Sequence, residues 1–219
     1  MSVQLDDIAK NLLLAVQNLQ PDDRIILEET VADGNTLVEG LSYLLRTQPP
    51  EIRDILEAVV DEVFVDLHVA VTLAMARQFK AACVLLRTCI ETGLYLVYFA
   101  DHPLEARIWA NYSQDFVFSD VLAQVVSSKY LSAASGRKAD DKVVKTTIGT
   151  LQTAYRELSE RVHGKYAFLQ STASELERSP KSFATVASSS IRALIQLIML
   201  RCSDVAALET EIPAMRRIP

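Results

Sequence analysis

Arg156 and His163 stand seven residues apart in the stretch T-A-Y-R-E-L-S-E-R-V-H-G-K-Y. A guanidinium can hold a phosphate bidentately and an imidazole titrates near neutral pH, so the pair suits phosphodiester chemistry without a metal. On a helix, seven residues turn through roughly 700°, which returns both side chains to nearly one face with a rise of about 10 Å between them. Ser159 lies between them on the same side, three residues after Arg156, whereas Arg161 falls on the face opposite His163. A structural reading of the same residues stands beside the chemical one. His163 followed by Gly164 suits a helix C-terminus, and Arg156 could pair with Glu160 at i+4.

Other residue types that can do chemistry are few. Arg87 and Glu91 are i, i+4 in the otherwise apolar run from Ala81 to Ala100. They read either as a half-buried ion pair or as a support that orients Arg156. Their charges would be costly in lipid, so the run reads as a core helix and no membrane association is expected. His68, beside Phe64 and Val71, reads as a core or interface histidine, and His102 in Asp101-His102-Pro103 as a helix cap. Trp109, Tyr112 and Tyr155 could stack on bases, although core packing suits Trp109 better. Cys83, Cys89 and Cys202 form no C-x-x-C pair and lie in apolar helical contexts, which predicts reduced, buried thiols. The sequence suggests no metal and no cofactor.

The elements that must position these residues are helical. Half of the 219 residues are apolar, enough for one sizeable core, and only six glycines and seven prolines interrupt the chain. A first helix is expected over roughly Leu5–Leu19, and Pro21-Asp22-Asp23 opens a second with a weak point at Gly34-Asn35. Pro49-Pro50-Glu51 starts a third, whose stripe Ile52, Leu56, Val59, Val63, Leu67, Ala70, Ala74 is widened by Val60, Phe64, Val71 and Met75. A break near Gln78 precedes the helix Lys80–Phe99, and segments near Leu104–Tyr112 and Phe116–Leu131 follow. Ser132–Asp141 reads as a loop, Lys142–His163 as a helix ended by Gly164, and Ser179-Pro180 as the start of a last helix reaching about Thr210. The expectation is therefore an all-α protein with a single helical-bundle domain over residues 1–219. Its N-terminal helices occupy 1–50, the motif-bearing bundle 51–178 and the C-terminal helix 179–219.

Tyr155, Leu158, Ser159, Val162, His163 and Gly164 resemble the Y-x-x-L-S-x-x-V-H-G stretch of a branch of the HEPN superfamily, whose diagnostic feature is an Arg followed after four to six residues by His. The run from Ala81 to Glu91, followed by Asp101-His102-Pro103, is similar to the A-x-x-L-x-R-x-x-x-E helix that precedes the motif helix in those proteins. The similar parts span roughly residues 50–170. The family commonly has Asn, Asp or His directly after the Arg, where this chain has Glu157.

The resemblance implies a HEPN-like helical bundle, usually dimeric, that acts as a metal-independent endoribonuclease in toxin or antiphage systems. Arg156 and His163 would then be catalytic, with Arg87, Glu91, Tyr155 and Ser159 in support. The partners implied are single-stranded RNA or tRNA, a second copy of the chain, and an antitoxin or defence-system protein, all in the cytoplasm. Members that have lost catalysis act as scaffolds, so the alternatives are an inactive HEPN-like dimer serving as adaptor or regulatory subunit, and a nucleotide sensor using Arg87, Glu91 and the loop Arg137-Lys138. Charge bears on both. The net −6 divides into −10 over residues 1–136 and +4 over 137–219. A polyanion site therefore fits the last part, and an acidic surface suits a protein partner.

Overall fold

The computed structural model describes residues 14, 17–46, 48–112, 115–162 and 179–218. Among them are α1 (Pro21–Leu45), α2 (Pro50–Met75), α3 (Phe79–Phe99), α4 (Pro103–Tyr112), α5 (Phe118–Val125), α6 (Ser128–Ser135), α7 (Asp141–Val162), α8 (Pro180–Arg201) and α9 (Val205–Glu211), followed by a 3₁₀ turn at Pro213–Arg217. The described residues contain no strand, so the all-α expectation holds. Proline in the first turn opens α1, α2 and α8, and Asp22, Asp23 and Glu51 place negative charge at the N-termini of the first two. Between α2 and α3 the chain reverses through Arg77, whose φ of 59° is left-handed. Gly136, with φ 65°, closes α6 in the conformation glycine adopts most freely.

α3 is the central element, packed by α2, α7 and α8, while α1 lies against α2 and α8. Every residue of α3 from Gly93 to Phe99 is buried, and one apolar cluster runs from Leu19 to Met215. Burial of this kind is the main favourable term in folding, at about 1.5–3 kcal/mol for each fully buried large aliphatic side chain. α3 and α8 are long and apolar enough to cross a membrane, and both are mostly buried inside the bundle. Cys83, Cys89 and Cys202 are free and buried. Burial, with a smaller contribution from the charge of Asp66, pushes the Cys89 thiol up to about 12.

Several boundaries differ from the expected ones. The first expected helix, Leu5–Leu19, lies mostly outside the described residues. α1 runs unbroken through Gly34-Asn35, because Gly34 serves a close helix approach: a Cβ there would sit 1.8 Å from Cδ2 of the fully buried Leu67. The segment Phe116–Leu131 divides into α5 and α6 where Ser127 caps α6 by accepting from the Tyr130 N–H at 3.0 Å. α6 continues through Ser135, which shortens the loop expected from Ser132. The last helix stops at Arg201 rather than near Thr210, because Asp204 caps a new helix by accepting from the Ala207 N–H at 2.9 Å. Arg137 donates to the carbonyls of Met199 (3.1 Å) and Cys202 (2.8 Å), satisfying the end of α8, so its guanidinium is committed to structure rather than free for a ligand. On α2 the widened stripe is covered except at Phe64, which is 42% exposed, and beside it Val65 is 54% and Val69 41% exposed. The α8 residues Ile191, Leu194, Ile195 and Ile198 are buried inside the monomer.

A polar tie joins the ends of α3 and α8 to α6. Arg201 Nε donates to Asp101 at 2.7 Å and its terminal nitrogen to the second carboxylate oxygen, while the Tyr130 hydroxyl donates to the same group. Burial alone would raise the Asp101 pKa, but the hydrogen bonds from Arg201 and Tyr130 outweigh it and hold the carboxyl below the usual carboxylate range. A carboxylate with a depressed folded-state pKa stabilises the fold above its unfolded value, and that stabilisation disappears as pH falls through the folded value. Asp101→Asn is therefore expected to cost about 1–2 kcal/mol at pH 7, below the range of about 3–5 kcal/mol for a fully buried pair because both side chains retain some exposure. Urea unfolding at pH 7 and pH 3 checks this: the gap between wild type and variant should narrow at the lower pH, and a pH-independent gap would contradict it.

Candidate functional site

α7 turns three surfaces outward and inward. Leu151, Ala154, Leu158 and Arg161 are buried, at the helical spacing that forms one packing stripe. Tyr155 and Ser159 lie half-buried on an adjoining face, and Arg156 is exposed. Among the described residues Arg156 has no hydrogen bond or ion pair, so the pairing with Glu160 allowed by their spacing does not form. Arg161 belongs to the packing stripe and is 7% exposed, which removes it as a substitute for Arg156. His163 lies outside the described residues.

Tyr155 is the meeting point of the remaining candidates. Arg87 donates to its hydroxyl at 2.6 Å and places the guanidinium carbon 4.9 Å from the ring centroid. That hydroxyl in turn donates to Glu91 at 3.3 Å, and Arg87 and Glu91 approach to 3.6 Å as a half-buried ion pair. The other side of the ring stacks on Phe118 at 3.8 Å and 6°. Arg87 and Glu91 therefore anchor Tyr155, and through it the backbone of α7, rather than gripping Arg156. Shielded hydrogen-bonding capacity remains here, since Arg87 Nε and Ser159 Oγ are buried without a hydrogen-bond partner.

Tyr95 completes the cluster and was not singled out in the sequence. Its hydroxyl lies 3.0 Å from Glu91 and 2.5 Å from the Phe116 carbonyl. Burial, then the adjacent Glu91 charge, raises its pKa, so the phenol stays protonated and works as a donor. A signal was present: Tyr95 is four residues after Glu91 and eight after Arg87 on an apolar helix, which puts all three on one side.

The remaining candidates divide by exposure. Trp109 packs on Phe99 with ring centroids 5.4 Å apart, and both sides of Tyr155 are occupied, whereas Tyr112 is 79% exposed. Of these three aromatic rings, Tyr112 is the one open to stacking. The His102 Nδ1 lies 2.8 Å from the Tyr98 carbonyl, and the ring stacks on Tyr98 at 4.0 Å, so it closes the end of α3 as expected of a cap. His68 is half-buried beside Phe64, ring centroids 4.1 Å apart, on the incompletely covered side of α2. No group of three or more metal-ligating side chains occurs among the described residues.

Chemically, the arrangement offers an exposed cation, Arg156, without a partner among the described residues, on a helix whose neighbouring residue is locked by an arginine, a glutamate and the Phe118 ring. No protein-family model, curated protein or solved structure matches the chain.

Proposed function

We propose that this chain is a metal-independent endoribonuclease of HEPN type, a cytoplasmic toxin or antiphage-defence effector that works as a homodimer. The observation that carries the reading is Arg156: exposed, without a partner among the described residues, and next to the anchored Tyr155. A cation with no structural task, on a helix fixed by its neighbour, suits the clamp on a phosphorane, where charge develops on the equatorial oxygens. His163 would take the proton from the ribose 2′-hydroxyl and return one to the leaving oxygen. The rise between the two positions separates them by about two turns, and two-fold symmetry would let one copy complete the other's site.

The second reading, an inactive HEPN-like dimer acting as adaptor, regulatory subunit or nucleotide sensor, is favoured by Phe64, Val65 and Val69, which leave an apolar strip on α2 for a protein surface. The two readings separate in one assay. Purified protein incubated with total RNA and with a single-stranded oligonucleotide is expected to cleave both in the presence of EDTA, and to leave intact an oligonucleotide whose scissile sugar is 2′-deoxy. Absence of cleavage under all conditions favours the adaptor, and cleavage of the 2′-deoxy substrate contradicts the 2′-hydroxyl mechanism.

A further inference from the structure

On the side facing α1, the antiparallel pair α7 and α8 leaves an open groove of about 490 Å³, which continues into a second hollow of about 600 Å³. Thr146, Thr150, Thr185 and Ser189 line both hollows, so the two form one channel. Its walls are rich in hydroxyls, and most of their protons are already committed. Thr150 donates to the Thr146 carbonyl at 3.0 Å, Thr185 to Lys181 at 2.9 Å, Ser189 to Val186 at 3.0 Å and Thr147 to Val143 at 3.0 Å. Thr30 donates to the Ile26 carbonyl at 2.9 Å, which leaves Ser188 to donate to Thr30 across their 3.0 Å contact. A hydroxyl that has given its proton to its own helix offers only lone pairs to whatever enters the groove.

Acceptors also stand among the remaining polar groups of the lining. The Gln196 side chain lines the first hollow, and its buried Oε1 has no hydrogen-bond partner. Glu29 lines the first hollow and Glu157 the second. Of the two cations present, Arg192 is held by Asp33 at 2.8 Å, and Lys145 is an exposed side chain on the second hollow. Between the polar groups, the half-buried Ile26, Val186 and Ile218 give an apolar surface. Such a lining disfavours phosphates and carboxylates, which would meet two carboxylates and mostly lone pairs. It accepts a long ligand with N–H donors and positive charge towards its ends and methylenes between.

We propose that the groove between α7, α8 and α1 binds a linear aliphatic polyamine. Its ammonium groups donate to the hydroxyl oxygens and to Gln196 and pair with Glu29 and Glu157, and its methylenes lie on Ile26, Val186 and Ile218. This site is separate from the RNA reading and does not depend on it.

The test is isothermal titration calorimetry of the full chain with spermidine, putrescine and, as a single-charge control, butylamine. Spermidine is expected to bind one per chain at moderate salt, putrescine more weakly, and butylamine without measurable heat. Gln196→Leu and the double variant Glu29→Gln/Glu157→Gln should each weaken spermidine at least tenfold. Gly149→Trp offers an independent check: a Cβ at Gly149 meets nothing within 4 Å, so the indole fills the second hollow from its open side without disturbing the core. That variant should lose spermidine binding with an unchanged or raised melting temperature. Asp61→Asn/Glu62→Gln, on exposed positions of α2, should bind as wild type does. No heat up to millimolar spermidine, or equal affinity in wild type and all groove variants, overturns the proposal, the latter being diffuse attraction to an acidic chain.

Discussion

Arg156→Ala is expected to lower RNA cleavage by about 10²–10³-fold, the cost of removing one donor aimed at transition-state charge. His163→Ala is expected to lower it by about 10²–10⁴-fold, the contribution of a positioned proton shuttle. For Arg156 the structure gives a reason to expect an intact fold. The side chain is exposed and has no described partner, so truncation removes no packing and leaves no buried charge behind. Its melting temperature should stay within about 2 °C of wild type, since surface changes of this kind fall within about 0.5 kcal/mol. Arg156→Lys adds a finer distinction: it keeps the charge but loses the bidentate fork, and should recover only part of the activity. Cleavage at wild-type rate by both alanine variants would remove Arg156 and His163 as catalytic residues, even for an active enzyme.

The largest expected effect on stability belongs to Gly34→Val. The new side chain would start from a Cβ only 1.8 Å from Leu67 Cδ2 and 3.1 Å from its Cγ, so α1 and α2 must separate or Leu67 must leave its rotamer. Leu67 is fully buried and has no free space to enter. Overpacking of this kind costs about 1–3 kcal/mol, and the gain in helix propensity over glycine offsets less than about 1 kcal/mol of it. A net loss of about 2 kcal/mol is expected in urea unfolding monitored by circular dichroism. Adding Leu67→Ala to Gly34→Val should destabilise less than the sum of the two single changes, because the alanine removes the atoms that collide. Strict additivity would show that the two positions are not in contact.

These cases show which parts of the molecule could be read along the chain. Helix starts at Pro21, Pro50 and Pro180 were legible because proline and acidic residues act locally, within one turn. Along the chain Gly34 reads as a weak point, because the reason for a glycine there is Leu67, thirty-three residues away on another helix. The end of α8 was placed too late for a related reason. Its stripe continues past Cys202, but Asp204 captures the next backbone N–H and Arg137 fixes the carbonyls before it.

The candidate site divides along the same line. The Arg87–Glu91 pair follows from i, i+4 spacing, whereas its attachment to Tyr155 joins residues more than sixty apart. Spacing placed Arg156 and Ser159 on nearby faces of one helix. It could not show that Arg156 is exposed while the Ser159 hydroxyl is shielded, since that depends on what α3 and α5 bring to α7.

From its middle to its C-terminal end, α8 is held by partners from distant parts of the chain. Ser188 meets Thr30, Arg192 meets Asp33, the carbonyls of Met199 and Cys202 meet Arg137, and Arg201 meets Asp101. Those contacts hold α8 in place beyond the covalent link between Val162 and Pro180. The orientation and register of α8 are written in side chains from its middle to its C-terminal end. A chain severed within that link would keep the information needed for the two pieces to find each other and reassociate in a single alignment.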